Sequence, residues 1–175
     1  MSSRTGDRVG KPSEDGVERF GALAIGGRLR RLSDRIDRDA KSIYEKMGIE
    51  FEQRWFPVFN CLRGGEAMSV TEIADHLRIS HVSVSVTRKS LEAAQLVTSI
   101  ADERDGRRFN LALTEKGKAL SEELAPLFEA LDLAAADLNA EAGNAIAAIA
   151  RLEDALDRKS VAERTEFFLE TGRAG

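Results

Sequence analysis

The stretch from Ser69 to Lys118 restricts the fold more than any other part of this chain. Val70, Ile73, Ala74 and Leu77 recur at helical spacing. Ser69 followed three residues later by Glu72 is a capping box, in which each side chain satisfies a free backbone amide of the first turn. A short amphipathic helix is expected to start there. Arg78-Ile79-Ser80 leaves room only for a tight corner, and Ser80 can cap a second helix from about His81 to Ala94, with Val84, Thr87, Leu91 and Ala94 as its apolar stripe. Two helices joined by such a corner make a helix-turn-helix.

A hairpin is expected next. Leu96 to Ala101 is a β-prone run, Asp102 to Arg108 is charged around Gly106, and Phe109, Leu111 and Leu113 alternate with polar or small residues. Arg104, Arg107 and Arg108 stand at its tip, where guanidinium groups on a loop suit phosphates or a narrow minor groove. Thr114 offers a cap for the following helix.

These residues resemble the winged helix-turn-helix of MarR-type bacterial transcriptional regulators. The resemblance is carried by Ser69-Val70-Thr71-Glu72-Ile73-Ala74, by Val84-Ser85 and Leu91-Glu92, by Leu96-Val97, by Asp102-x-Arg104-Asp105-x-Arg107, and by Leu113-Thr114-x-x-Gly117. Gln95 stands where a helix-ending glycine is common, and Arg88 where an apolar residue is common.

The resemblance implies a mainly α fold with a small β-hairpin wing, extended by long helices that interdigitate with those of a second subunit. On that reading, residues 1–16 are a flexible tail and residues 17–50 an N-terminal dimerisation helix. Residues 51–118 are the winged DNA-binding domain, and residues 119–175 the C-terminal dimerisation helices. The function implied is a homodimeric regulator, in the repressor sense, on double-stranded DNA with a pseudo-palindromic operator. A winged protein-interaction scaffold without DNA binding is the alternative.

The candidate base-reading residues are Ser80, His81, Val82, Ser83, Ser85, Thr87, Arg88 and Lys89. Serine and threonine accept several bases, valine can pack on a thymine methyl, and His81 or an outward Arg88 can contact guanine. His81 can equally cap the helix or touch phosphate. By motif position, Arg107 would enter the minor groove with Asp102 or Asp105 as its support, beside Arg104 and Arg108. Relatives of this type bind small aromatic or amphipathic molecules between the dimerising helices and the reading lobe. Tyr44, Met47, Trp55 and Phe59 would line such a pocket for an unnamed effector, and plain core is the competing reading.

Outside this stretch, Ile25, Leu29, Leu32, Ile36, Ala40, Ile43 and Met47 step by three or four residues, so one long amphipathic helix is expected from about Val17 to Gly48. Arg28, Arg31, Arg35 and Arg38 repeat along it, as a solvated face or as partners for acidic helices. Phe51 to Leu62 reads as a packed aromatic helix, with Pro57 in its first turn or kinking it and Gly64-Gly65 beyond its end. Leu120 to Leu138 continues past a kink expected at Pro126, residues 139–144 form a turn, and a single final helix carries Ile146, Ile149, Leu152, Leu156, Val161, Phe167 and Phe168.

Charge supports a local rather than a general attraction to DNA. The formal net charge is −4, with 13 basic and 10 acidic residues in 1–65, 8 of each in 66–118, and 5 basic against 12 acidic in 119–175. A neutral lobe with clustered wing arginines is compatible with DNA, whereas a heavily basic coating protein is excluded. Catalysis finds no support: His76, His81 and Cys61 form no nucleophile–base motif, and Gly26-Gly27 and Gly64-Gly65 lack a phosphate-loop pattern. One cysteine and two histidines make no usual structural zinc site, so neither metal nor cofactor is expected, and Cys61 reads as a core thiol rather than a redox sensor. No run approaches the roughly 20 apolar residues a membrane helix needs, nor is there the apolar core of a signal peptide, which gives a cytoplasmic expectation with no membrane partner.

Overall fold

The computed structural model describes residues 18–101 and 109–172, and the chain divides into two units, Met1–Lys116 and Gly117–Gly175. In the first unit a 3-10 helix, Glu18–Ala24, precedes helix α1 (Ile25–Lys46). The single helix expected from Val17 is therefore broken. Gly21 sits at φ 52° and ψ −130°, a conformation that residues with a Cβ rarely reach, and regular α-helix begins only beyond it. At the other end Gly48 takes φ 69°, and the Ile49 amide folds back to donate to the Tyr44 carbonyl at 2.9 Å.

The aromatic segment also starts later than its composition suggests. Glu52 is extended, Gln53–Trp55 is a 3-10 turn, and helix α2 runs only over Phe56–Leu62. Pro57 occupies its first turn, where its missing amide costs no helical hydrogen bond. Phe51 is the hub of the aromatic core, with ring centroids 5.2 Å from Tyr44, 5.6 Å from Trp55 and 5.3 Å from Phe59, all edge to face.

Strand β1 (Met68–Ser69) leads into helix α3 (Val70–Leu77); helix α4 (His81–Ala93) follows the corner, and strands β2 (Val97–Ala101) and β3 (Phe109–Leu113) form the hairpin. The sheet has three strands in the order β1-β3-β2, all antiparallel. Met68 pairs with Leu111, and the hairpin register runs from Val97 opposite Leu113 to Ala101 opposite Phe109. β1 adds a strand to the two expected and fixes the start of α3 to the sheet. Ile73 and Ala74 of α3, Val84 and Leu91 of α4, and Leu96, Val97 and Leu111 are buried in the lobe's core.

In the second unit, helix α5 (Glu115–Glu141, its first two residues still in the first unit) continues through Pro126, which removes one internal hydrogen bond without ending it. Leu124, Leu127 and Phe128 are its buried large side chains. Gly143 and Asn144 turn the chain at φ 67° and 65°, and Asn144 caps helix α6 (Ala145–Arg158) by accepting from the Ala147 amide. The single final helix that was expected is two helices. Lys159 is extended, Ser160 and Glu163 form a second capping box, and helix α7 (Val161–Thr171) starts there. Arg164 closes the break by donating to the carbonyls of Ala155 at 2.7 Å and Lys159 at 3.0 Å.

Candidate nucleic-acid interface

The corner between α3 and α4 is built by caps on both sides. Ser69 Oγ accepts from the Glu72 amide at 3.2 Å while Glu72 Oε2 accepts from the Ser69 amide at 2.7 Å. α3 ends with Arg78 in the left-handed region at φ 52°, and the Ile79 amide donates to the Ala74 carbonyl at 3.0 Å. Ser80 then caps α4 by accepting from the Ser83 amide at 3.1 Å, and the two serine hydroxyls lie 2.8 Å apart. A non-glycine residue is thus held in a costly conformation so that two helices can meet within three residues.

α4 ends in a second tight structure. Gln95 has φ 60°, its amide donates to the Glu92 carbonyl at 2.9 Å, and the Leu96 amide donates to the Leu91 carbonyl at 2.9 Å. This is the Schellman pattern, normally served by glycine, with buried Leu91 and Leu96 as its apolar pair. Gln95 therefore takes the glycine conformation without being glycine. Thr114 binds across the same turn, its hydroxyl donating to the Gln95 carbonyl at 2.6 Å, and Lys116 donates to the Ala94 carbonyl at 2.9 Å.

These contacts leave one side of α4 in solvent. Ser80, His81, Val82, Ser83, Val86 and Lys89 are exposed, with Val82 at 72% and Val86 at 57%, while Ser85, Thr87 and Arg88 are half-buried. Val86 is absent from the candidates read from the sequence. Its signal was its position four residues after Val82, on the same side of the helix. Arg88 lies along α4, its Nε 3.8 Å from Glu92 Oε2, and Glu92 Oε1 accepts from Ser99 Oγ of β2 at 2.7 Å. Asp102, Arg104, Asp105, Arg107 and Arg108 lie outside the described residues, between the paired ends of β2 and β3 at Ala101 and Phe109.

The four residues expected to line an effector pocket separate. Tyr44, Trp55 and Phe59 are buried in the aromatic core, whereas Met47 is 52% exposed. Tyr44 Oη pairs with Gln53 Oε1 at 2.8 Å, and burial pushes its hydroxyl pKa up to about 12. Trp55 Nε1 donates to Ser90 Oγ at 2.9 Å. Cys61 is half-buried, and burial pushes its thiol up, away from the thiolate that redox chemistry uses.

Two capped helices meeting at a three-residue corner, with an antiparallel hairpin beside them, define a winged helix-turn-helix. Residues 48–108 match the model of the MarR family, so this segment of the chain is a winged helix-turn-helix of the MarR type. It is similar in fold to S. aureus MepR in a complex with DNA, at 20% identity and TM-score 0.63, covering 75% of this chain and 97% of that one. It is also similar to Bordetella bronchiseptica BpsR, whose DNA binding is regulated by 6-hydroxynicotinic acid, at 26% identity and TM-score 0.56, covering 74% and 92%. The transcriptional regulator BldR from Sulfolobus solfataricus matches at 19% identity and TM-score 0.50, covering 78% and 98%. No curated protein matches the chain in sequence.

Proposed function

We propose that the protein is a homodimeric, sequence-specific DNA-binding regulator of transcription, acting as a repressor at a pseudo-palindromic operator. The observation that carries this reading is the exposed side of α4, where Val82, Ser83, Val86 and Lys89 stand together beyond a serine-capped N-terminus. The two valines offer apolar contact to thymine methyl groups, Ser83 an adaptable hydroxyl, and Lys89 a cation for phosphate. Two exposed valines four residues apart on an otherwise polar helix face suit the floor of a major groove. The match of residues 48–108 to the MarR family model also favours a regulator over an enzyme.

The dimer is supported by apolar stripes that stand exposed among the described residues. Ile25, Leu29, Leu32 and Ile36 are exposed along α1, and Ile146, Leu152 and Leu156 along α6, each set at helical spacing. Two copies related by a two-fold axis would place their α4 helices in successive major grooves about one turn of DNA apart. A dimer seated there excludes other proteins from the same face of the DNA, which is the physical basis for repression. Effector relief belongs to the same reading. The packed core of Tyr44, Trp55 and Phe59 would have to open for a ligand, with exposed Met47 at its edge.

Among the described residues no helix is long and apolar enough to cross a membrane. An electrophoretic shift with the DNA upstream of the protein's own gene tests the proposal. Retardation that survives excess scrambled duplex supports it, and equal competition by both duplexes favours the scaffold.

A further inference from the structure

The buried indole of Trp55, 6% exposed, needs an acceptor for its N–H and finds it on α4. Trp55 Nε1 donates to Ser90 Oγ at 2.9 Å, and Arg54 Nη2 reaches the same oxygen at 3.4 Å while its Nε pairs with Glu52. Ser90 lies seven residues after Ser83, two helical turns along the same side of α4. The side that is open at Ser83 and Val86 is therefore gripped at Ser90 by the 3-10 turn before α2.

We propose that Ser90 is a positioning residue that fixes the rotation of α4 about its axis, and so decides which side chains face DNA. The proposal rests on α4 being the reading helix. The apolar contacts of Val84 and Leu91 resist separation but are not directional, so they permit small rotations. A hydrogen bond to a rigid indole is directional and does not. Trp55 is itself held edge to face on Phe51, and Phe51 on Tyr44 of α1, so the rotation of α4 is referred back to α1 through three aromatic rings. Ser90 touches no base in this scheme; it acts through the residues two turns before it.

The test uses the full-length protein with Ser90→Ala, Ser90→Thr and Trp55→Phe, which keeps an aromatic ring and drops the donor. The probes are a duplex enriched by the wild-type protein from a random-sequence library and a scrambled duplex of the same length. Ser90→Ala is expected to weaken binding to the enriched duplex by up to about tenfold. Binding to the scrambled duplex should be unchanged, because phosphate attraction does not depend on helix rotation. Trp55 is the only tryptophan, so its emission should shift in Ser90→Ala and return in Ser90→Thr. Trp55→Phe should lose the same affinity, and the double variant no more than either. Hydrogen exchange of the His81–Arg88 amides should quicken in Ser90→Ala whether or not DNA is present. Wild-type affinity in Ser90→Ala, or additive losses in the double variant, would overturn the positioning role and leave DNA reading intact. Failure of the wild-type protein to enrich any duplex would overturn the reading helix, and the proposal with it.

Discussion

Glu92 of α4 and Ser99 of β2 are joined by a 2.7 Å hydrogen bond, and the same carboxylate lies 3.8 Å from Arg88 Nε one helical turn earlier. β2 is therefore tied to α4 by a side chain, and Arg88 is drawn along α4. Ser99→Ala is expected to cost about 1 kcal/mol of stability, and Glu92→Ala somewhat more, since it also leaves half-buried Arg88 without its carboxylate. A urea-denaturation double-mutant cycle should give a coupling of roughly 0.5–1 kcal/mol. Additive losses would mean that the contact carries no energy.

Gln95 holds a left-handed conformation at φ 60° in a motif that glycine serves best. Gln95→Gly relieves a cost of about 1–2 kcal/mol and gives back part of it as unfolded-state entropy. A net gain of about 0.5–1 kcal/mol, seen as a higher melting temperature, is expected; a lower one would show that the side chain contributes more than its strain costs.

Tyr44 links pH to stability. Its folded pKa is raised from 10.0 to about 12 by burial, so the neutral hydroxyl is favoured in the folded state. The stability this contributes is fully present below pH 10 and is lost as pH rises from 10 towards 12. In Tyr44→Phe the alkaline loss within that window should be smaller in denaturant midpoints. An unchanged alkaline limb would assign it to other groups.

Glu163 behaves with the opposite sign. The Ser160 hydroxyl and then the Ser160 amide hold its carboxyl below the usual carboxylate range. Its contribution to the α7 cap is present above the unfolded pKa and is lost as pH falls through the lowered folded one. Amide protection over Val161–Thr171, taken relative to the intrinsic exchange rate at each pH, should fall on acidification in the wild type and already be low at neutral pH in Ser160→Ala. Equal protection in both would remove the cap from the account.

The exposed stripe of α1 predicts association. Leu29→Glu with Leu32→Glu should convert a dimer, measured by light scattering at micromolar concentration, to monomers or to a protein with strongly reduced DNA affinity. A wild-type monomer at that concentration would contradict the dimer.

The winged lobe was legible because its signals are local: Ser69 with Glu72, the corner at Arg78-Ile79-Ser80, and the alternation after Phe109 each act within a few residues. The helix ends outside it were less so. Apolar period continues across Gly21 and across Lys159, but a glycine dihedral breaks the first run and a capping box the second. The Ser160–Glu163 pair was readable, being the same Ser-x-x-Glu pattern as Ser69–Glu72, but the stripe on either side of it suggested continuity. β1 has two residues and no periodicity to detect. Ser90 gave no signal, since its role is a contact with a residue 35 positions away.

Selection of duplexes from a random-sequence library by the full-length protein tests the central claim most directly. The account predicts an enriched inverted repeat whose half-sites are centred about 10 base pairs apart, one for each α4 of the dimer. Recovery of the starting distribution, with no motif enriched over the scrambled background, would contradict it.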